Sequence, residues 1–353
     1  MVKKMKDNIE LSVIIPVYNA GKYLKQCIDS LVMQSLNEME IIFVNDCSPC
    51  SDDEELIKNY MKKDGRIKYY KHEKNKGTAG AINTGLENCA GKYVTIVGND
   101  DYLLDNKCYE YLVDVANKSN ADVTGFGAYS FNDGNDKEKT QIYKNSYYKK
   151  AKKVNPDYFP SEVTWNKLFK TESIKKHNLI FNTNAKYEDI EFWYRYVITV
   201  NPVMLYIDKN YYMYRQRANS VMSTPSNYIK RFDVYKMIYN FIKENNKEKE
   251  YRNNIIKWLN YPEQYENFTD EIKDIYRQQT IEFMKEININ AEEIFNTLDM
   301  RIFKLFFSNN YIADKYSEVI ENYKAVKYKY TKVNIFFHKL KREIKRIAAK
   351  FRG

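Results

Sequence analysis

Residues 11–21 read LSVIIPVYNAG. Leu11 to Val17 is a short apolar run broken by Pro16 and closed by Asn19-Ala20-Gly21, the pattern of a buried strand that ends in a turn. Downstream, Leu24, Cys27, Ile28 and Leu31 fall at i, i+3, i+4 and i+7, the stripe of a helix lying on a sheet. The unit then repeats. Glu40 to Val44 reads as a strand, and Ser51-Asp52-Asp53-Glu54 opens a helix carrying Leu56, Ile57, Tyr60 and Met61. Strands are expected again at Ile67 to Lys71, Tyr93 to Val97 and Ala121 to Tyr129, with helices at Thr78 to Leu86 and Cys108 to Ala116. Such alternation predicts an α/β fold, with a largely parallel sheet covered by helices on both faces.

Beyond this region the pattern weakens. Asp133 to Tyr158 is polar and rich in Tyr and Lys and reads as a loop. Trp165 to Lys176 and Ala185 to Tyr196 read as helical and Val203 to Tyr214 as extended. After Pro225 the texture changes to long helical patterns such as Phe232, Tyr235, Ile238, Tyr239 and Ile242. A boundary is therefore expected near 225, with a helical appendage following.

Composition limits the classes available. The chain has 353 residues, 44% of them hydrophobic, enough for a sizeable core and not the composition of a disordered protein. No run approaches the roughly 18 apolar residues of a membrane-spanning helix. The lysines before Leu11 imitate a signal peptide, but the apolar run is short, contains Pro16 and lacks a small-residue cleavage site. Cys27, Cys47, Cys50, Cys89 and Cys108 are odd in number and scattered, which favours a reducing compartment over a disulfide framework. With three histidines far apart and one isolated C-x-x-C, a zinc site has little support.

The formal net charge is +10, and residues 327–353 carry ten basic residues and one acidic. The tail thus holds +9, leaving residues 1–326 near neutrality and without an overall bias towards nucleic acid. On a helix over 334–352, Phe336, Phe337, Leu340, Ile344, Ile347, Ala348 and Phe351 share one face and lysines and arginines fill the rest. This is the pattern of a helix lying on an anionic membrane surface. Packing of the same face on the body or on a partner is the alternative.

In an open parallel sheet, ligands bind beyond the carboxyl ends of the strands. Those ends carry Pro16-Val17-Tyr18-Asn19, Val44-Asn45-Asp46, His72 with Lys74-Asn75-Lys76-Gly77, and Gly98-Asn99-Asp100-Asp101. In order and spacing they resemble the inverting glycosyltransferases of family 2. The opening IIPVYN, the VDDGS-like Val44-Asn45-Asp46-Cys47-Ser48, the segment from Asn75 to Gly85 (NKGTAGAINTG) and the acidic Gly98-Asn99-Asp100-Asp101 each have a counterpart there. Trp165-Asn166-Lys167-Leu168-Phe169, Glu188-Asp189, and Tyr214-Arg215-Gln216-Arg217 with Ser220 resemble the family's acceptor-side elements. The likeness covers about residues 10–225.

The resemblance implies a GT-A (Rossmann-like) domain over 1–225, with a nucleotide-binding half at 1–131 and an acceptor-binding half at 132–225. A helical appendage over 226–326 and a basic amphipathic helix over 327–353 complete the organisation. It also implies a UDP-sugar donor, a Mn²⁺ or Mg²⁺ ion, and a hydroxyl acceptor on a lipid-linked glycan or cell-surface polysaccharide, at the cytoplasmic face of the membrane. Asp46 matches the base-reading aspartate, and its carboxylate suits the N3–H of uracil or thymine, a proton that cytosine lacks. Pro16, Tyr18 and Asn19 would border the base pocket, and Lys76, Gly77 and Asn83 belong to the donor segment.

Asp100 is the expected metal ligand, with Asp101 as second ligand or sugar contact. The motif's usual first Asp is Gly98 here, and Ile82 stands where an arginine commonly precedes Asn83, so Lys76, Arg215 and Arg217 are the candidates for the diphosphate, with Ser220 nearby. Asp189 is the expected general base, with Glu188 either positioning the acceptor or replacing it. A sugar nucleotidyltransferase on a related sheet, and a polyanion-binding protein acting through its tail, are the alternative classes. The usual G-x-G-x-R signature of the former is absent after the first strand.

Overall fold

The computed structural model describes residues 8–217, 224–260, 262–290 and 293. Leu11–Val17 forms β1, buried along nearly its whole length, as a strand must be when both faces of its sheet are covered. Met39–Asn45 (β2), Ile67–Lys71 (β3) and Tyr93–Ile96 (β4) join it in the order β3-β2-β1-β4, all parallel. The connecting helices are α1 (Leu24–Val32), α2 (Asp52–Met61) and α3 (Gly77–Asn88). On α1 the expected stripe Leu24, Cys27, Ile28 and Leu31 is buried. The first turn of α2 holds four acidic residues, complementing the helix dipole. One of them, Asp53, accepts the Ala20 and Gly21 amides at 3.0 Å each and so pins the turn after β1. That turn needs left-handed backbone at Asn19 (φ +48°) and Gly21 (φ +55°), which their residue types tolerate.

The other half of the sheet is mixed. Tyr102–Leu103 (β5), helix α4 (Cys108–Ser119), Val123–Asn132 (β6), Asn135–Ile142 (β7) and Lys152–Lys153 (β8) precede Lys167–Lys170 (β9). Strand β9 runs antiparallel to both β4 and β6 and joins the two halves. After α5 (Thr171–Lys176) and α6 (Glu188–Val200), Val203–Gln216 (β10) lies parallel to β6 and antiparallel to β5 and β8. The largely parallel arrangement expected of the sheet holds within β3-β2-β1-β4 and for the β6–β10 pair, and the remaining pairings are antiparallel.

Two further readings are corrected. The helix expected over Trp165 to Lys176 is β9 followed by α5, because Leu168 and Phe169 are buried where β9 closes the gap between β4 and β6. The loop expected over Asp133 to Tyr158 contains β7, a hairpin partner of β6. Exposed along most of its length, β7 carries no apolar alternation that would mark it as a strand.

By its contacts the chain divides into two units, Met1–Ile255 and Ile256–Gly353. Helices α7 (Pro225–Ile229) and α8 (Arg231–Glu244) belong to the first, where α8 packs on α6, so the boundary anticipated at 225 falls inside that unit. Helix α9 (Arg252–Lys257) crosses the division. In the second unit α10 (Asp270–Glu286) is capped by Thr269, whose hydroxyl accepts from the Ile272 amide. The tail 327–353 and its face 334–352 lie outside the described residues. Among the described residues no helix is long and apolar enough to cross a membrane.

Candidate active site

The strand ends meet at a cavity of about 630 Å³. Pro16 at the end of β1, Lys76 and Gly77 at the start of α3, Gly98 after β4, Trp165 before β9, and Glu188 and Asp189 at the start of α6 all line it. Five of the expected residues, Pro16, Lys76, Gly77, Glu188 and Asp189, thus share one space although they are far apart in sequence.

Asp46 sits at the end of β2, with 2% of its surface exposed. Its amide donates to Val17 O at 2.8 Å, extending the β1–β2 ladder past the last paired residues. Its Oδ1 accepts from the Lys76 amide at 2.8 Å and meets His72 Nδ1 at 2.7 Å. Asn19 is tied to the same corner, its amide donating to Ser48 Oγ at 3.0 Å. Tyr18 is 51% exposed and leaves its ring open to a ligand. Gly77 (φ +77°) makes the left-handed entry into α3, with its amide donating to Asn75 Oδ1.

Asn83 has a different task from the donor contact expected of it. Its side chain donates to Phe181 O at 2.8 Å and accepts from Phe181 N at 2.7 Å, bracing α3 against the segment before α6.

In the acidic turn after β4 the two aspartates separate in role. Asp101 is buried, its Oδ2 accepting from the Tyr212 hydroxyl at 2.7 Å and its Oδ1 from the Arg215 amide at 2.8 Å. Burial, and then the charge of Asp100, push its carboxyl well above the usual range. With both oxygens engaged, Asp101 is a brace between β4 and β10. Gly98 is explained by the same geometry, since a Cβ there would lie 2.6 Å from Asp101 Oδ2 and 3.2 Å from Asp100 Oδ1. Asp100 faces outward and pairs with Arg217, Nη2 to Oδ2 at 2.6 Å.

Arg215, expected as a diphosphate contact, is a clasp. Its guanidinium donates to Asp100 O, Asp133 and Gln26 while lying against the rings of Tyr23 and Phe131. Arg217 is the more exposed of the two arginines, and Ser220 lies outside the described residues. A divalent ion bound through one or two carboxylates plus donor phosphates fits Asp100 as its protein ligand. It does not fit Asp101 as second ligand. Among the described residues no group of three or more His, Cys, Asp or Glu forms a cage.

Across the cavity, α6 begins with Glu188 and Asp189, and Asp189 Oδ1 accepts from the Ile190 amide at 2.9 Å. Burial raises the Asp189 carboxyl, while burial and then Asp189 raise Glu188 to about 7. Two features of this wall have roles that the motifs alone do not disclose. Trp165 stacks on Tyr212 and Tyr214, with centroids 4.5 and 5.2 Å apart. Lys167 is fully buried, its ammonium donating to Ser161 O and Asn166 Oδ1 at 2.8 Å each and also to Val163 O. The W-N-K run marked this segment as functional without indicating a buried cation. His72 also escaped assignment, although its place after β3 put it at the right rim.

A sheet of this topology, with an acidic turn at one strand end and a carboxylate pair lining the cavity, has the architecture of the GT-A fold. Residues 12–177 match the family model described as Glycosyl transferase family 2. The chain is 30% identical over 222 residues to "Uncharacterized glycosyltransferase EpsJ" of Bacillus subtilis (strain 168), covering 61% of this chain and 63% of that protein. It is 31% identical over 223 residues to "Glycosyltransferase GlyA" of Streptococcus pneumoniae serotype 4, covering 60% and 31%. The chain thus spans less than two thirds of either relative. S. aureus TarS 1–349 in complex with UDP superposes with a TM-score of 0.66 at 20% identity, covering 90% of this chain and 92% of that one. The same fragment with UDP-GlcNAc gives 0.65. At that identity the likeness is one of fold.

Proposed function

We propose that the protein is an inverting glycosyltransferase that moves a hexose or N-acetylhexosamine from a UDP-sugar to a hydroxyl of a lipid-linked glycan or cell-surface polysaccharide. The observation that carries this reading is the shared cavity, with the Lys76–Gly77 rim held by Asp46 on one side and the Glu188–Asp189 pair on the other. The UDP and UDP-GlcNAc bound to TarS support the choice of nucleotide.

Tyr18 stacks on the base and Asp46 accepts its imide proton. Asp189 takes the proton of the acceptor hydroxyl as that oxygen bonds to the anomeric carbon from the face opposite the diphosphate. The anomeric C–O bond breaks, its electron pair leaves with UDP, and the configuration inverts. Arg217 and Lys76 are the side chains that meet the diphosphate charge. Asp100 would hold Mg²⁺ or Mn²⁺, which when bound neutralises charge on the departing diphosphate. The basic tail, 334–352, would hold the enzyme at the cytoplasmic face of an anionic membrane, where lipid-linked acceptors reside.

The test is a hydrolysis screen of nucleotide sugars with Mn²⁺, combined with calorimetry of UDP. Turnover of at least one UDP-sugar and saturable UDP binding are expected. Absence of both, with folded protein, rejects the reading.

A further inference from the structure

We propose that His72 is a positioning residue for donor recognition, locking the Asp46 carboxylate so that a single oxygen, Oδ2, is presented to the imide N–H of a uracil base. The inference rests on the function proposed above and adds to it the element that orients the base-reading group.

His72 is 6% exposed, and its amide and both ring nitrogens have partners. Its amide donates to Asn45 O at 2.9 Å, continuing the β2–β3 ladder, and its ring lies between Asp46 Oδ1 at 2.7 Å and Thr84 Oγ1 at 2.9 Å. Asp46 Oδ1 can only accept when ionised, so Nδ1 carries the ring proton. With a single ring proton, on Nδ1, the Nε2 lone pair faces Thr84 Oγ1, whose hydroxyl then donates to it. The relay runs from Thr84 through His72 to Asp46, each bond polarising the next towards the carboxylate. Thr84 belongs to α3, whose first residue Gly77 borders the cavity, so the ring fastens that helix to the end of β2.

The Lys76 amide donates to the same Oδ1 at 2.8 Å. Two donors converge on one oxygen, while Oδ2 has no hydrogen bond among the described residues. A carboxylate free to rotate would present either oxygen at any angle. Held by two donors on one side, it offers one acceptor in one direction. A uracil N3–H satisfies that acceptor, whereas the N3 lone pair of cytosine faces it unpaired, the kind of mismatch that discriminates strongly.

The test measures binding of UDP, CDP and ribose 5-diphosphate to the full chain by calorimetry, with thermal melting as a check on the fold. For His72→Leu, UDP affinity is expected to fall roughly tenfold, the loss of one charge-assisted hydrogen bond, with ribose 5-diphosphate unaffected. His72→Asn, which returns an N–H donor near the Nδ1 position, recovers most of the UDP preference. Thr84→Val leaves the ring in place without its anchor and lowers UDP affinity by a smaller factor; it carries the test should His72→Leu fail to fold. Unchanged UDP affinity in these variants, or equal loss of UDP and ribose 5-diphosphate, overturns the inference alone. Wild-type protein that binds UDP no better than ribose 5-diphosphate overturns base reading by Asp46, and the inference with it.

Discussion

Arg217 reaches back from the residue after β10 to pair with Asp100 at 2.6 Å, joining the end of β10 to the acidic turn after β4. The side chains are 35% and 19% exposed, so the pair is partly shielded and yet reachable by a ligand. An incoming diphosphate and its cation would divide this pair between them, Arg217 to phosphate and Asp100 to metal. Asp100→Ala is therefore expected to remove the Mn²⁺ dependence of UDP binding. Arg217→Met should weaken UDP binding by about tenfold while leaving that dependence in place. Calorimetry with and without Mn²⁺ reads both, and an unchanged Mn²⁺ dependence in Asp100→Ala would exclude Asp100 as a ligand.

The neighbouring aspartate should behave differently. Asp101→Ala strips the Tyr212 hydroxyl and the Arg215 amide of their acceptor in a buried place, at a cost of about 2–4 kcal/mol. Gly98→Ala drives a methyl into an oxygen that Tyr212 holds in place and should cost about 1–3 kcal/mol. Both appear as lower midpoints in urea, whereas Asp100→Ala stays within about 0.5 kcal/mol of wild type. A midpoint for Asp101→Ala equal to wild type would refute its role as a brace.

These contrasts mark what the sequence discloses. Strand β1, the stripe on α1 and the acidic start of α2 are legible because periodicity and capping are local. Strand β9 is not, since its four residues become a strand by filling the gap between β4 and β6, a tertiary demand that leaves no period behind. The motifs name Pro16, Lys76, Gly77, Glu188 and Asp189, which share one cavity. They do not separate residues that can touch a ligand from residues that hold others in place. Asp100 and Asp101 are adjacent and chemically alike, and Arg215 and Arg217 differ by two positions. Tertiary packing buries one member of each pair, Asp101 and Arg215, where every polar atom must find a partner.

Lys167 offers a test of the acceptor wall. Its ammonium holds Ser161 O, Val163 O and Asn166 Oδ1 together, and the segment these bonds gather carries Thr164 and Trp165, both of which line the cavity. Lys167→Met keeps the volume but orphans these acceptors, and a loss of about 2–4 kcal/mol is expected. Because the loop it holds carries the cavity wall, the Michaelis constant for the acceptor should rise while UDP affinity stays close to wild type. Melting and steady-state kinetics check the two parts, and loss of UDP affinity in equal measure would place Lys167 with the donor instead.

The tail makes a separate prediction. With ten basic residues and one acidic in 327–353, each basic residue near an anionic surface contributes about 1 kcal/mol of attraction. Removing these residues should move the protein from the pellet to the supernatant when it is sedimented with anionic liposomes, and salt should do the same to the intact chain. Equal partitioning with and without the tail would favour packing of its apolar face on protein.

Under the proposed function, the Glu188–Asp189 pair sets how the protein should respond to pH. Burial and the adjacent Asp189 raise Glu188 from 4.5 to about 7, and burial raises Asp189 as well. A carboxyl raised in the folded state binds its proton more tightly there than in the unfolded chain. Stability is therefore full below about pH 4.5 and declines as pH rises through about 7. Activity runs the other way, because the base must be unprotonated, so kcat/KM climbs across the same window. Glu188→Gln removes the like charge beside Asp189, which should flatten the loss of stability and move the acid limb of the rate profile to lower pH. Asp189→Asn should abolish transfer with UDP affinity nearly unchanged. If instead Glu188→Gln abolishes transfer and Asp189→Asn retains it, the base is Glu188, and Asp189, already bonded to the Ile190 amide, is the residue that caps the helix.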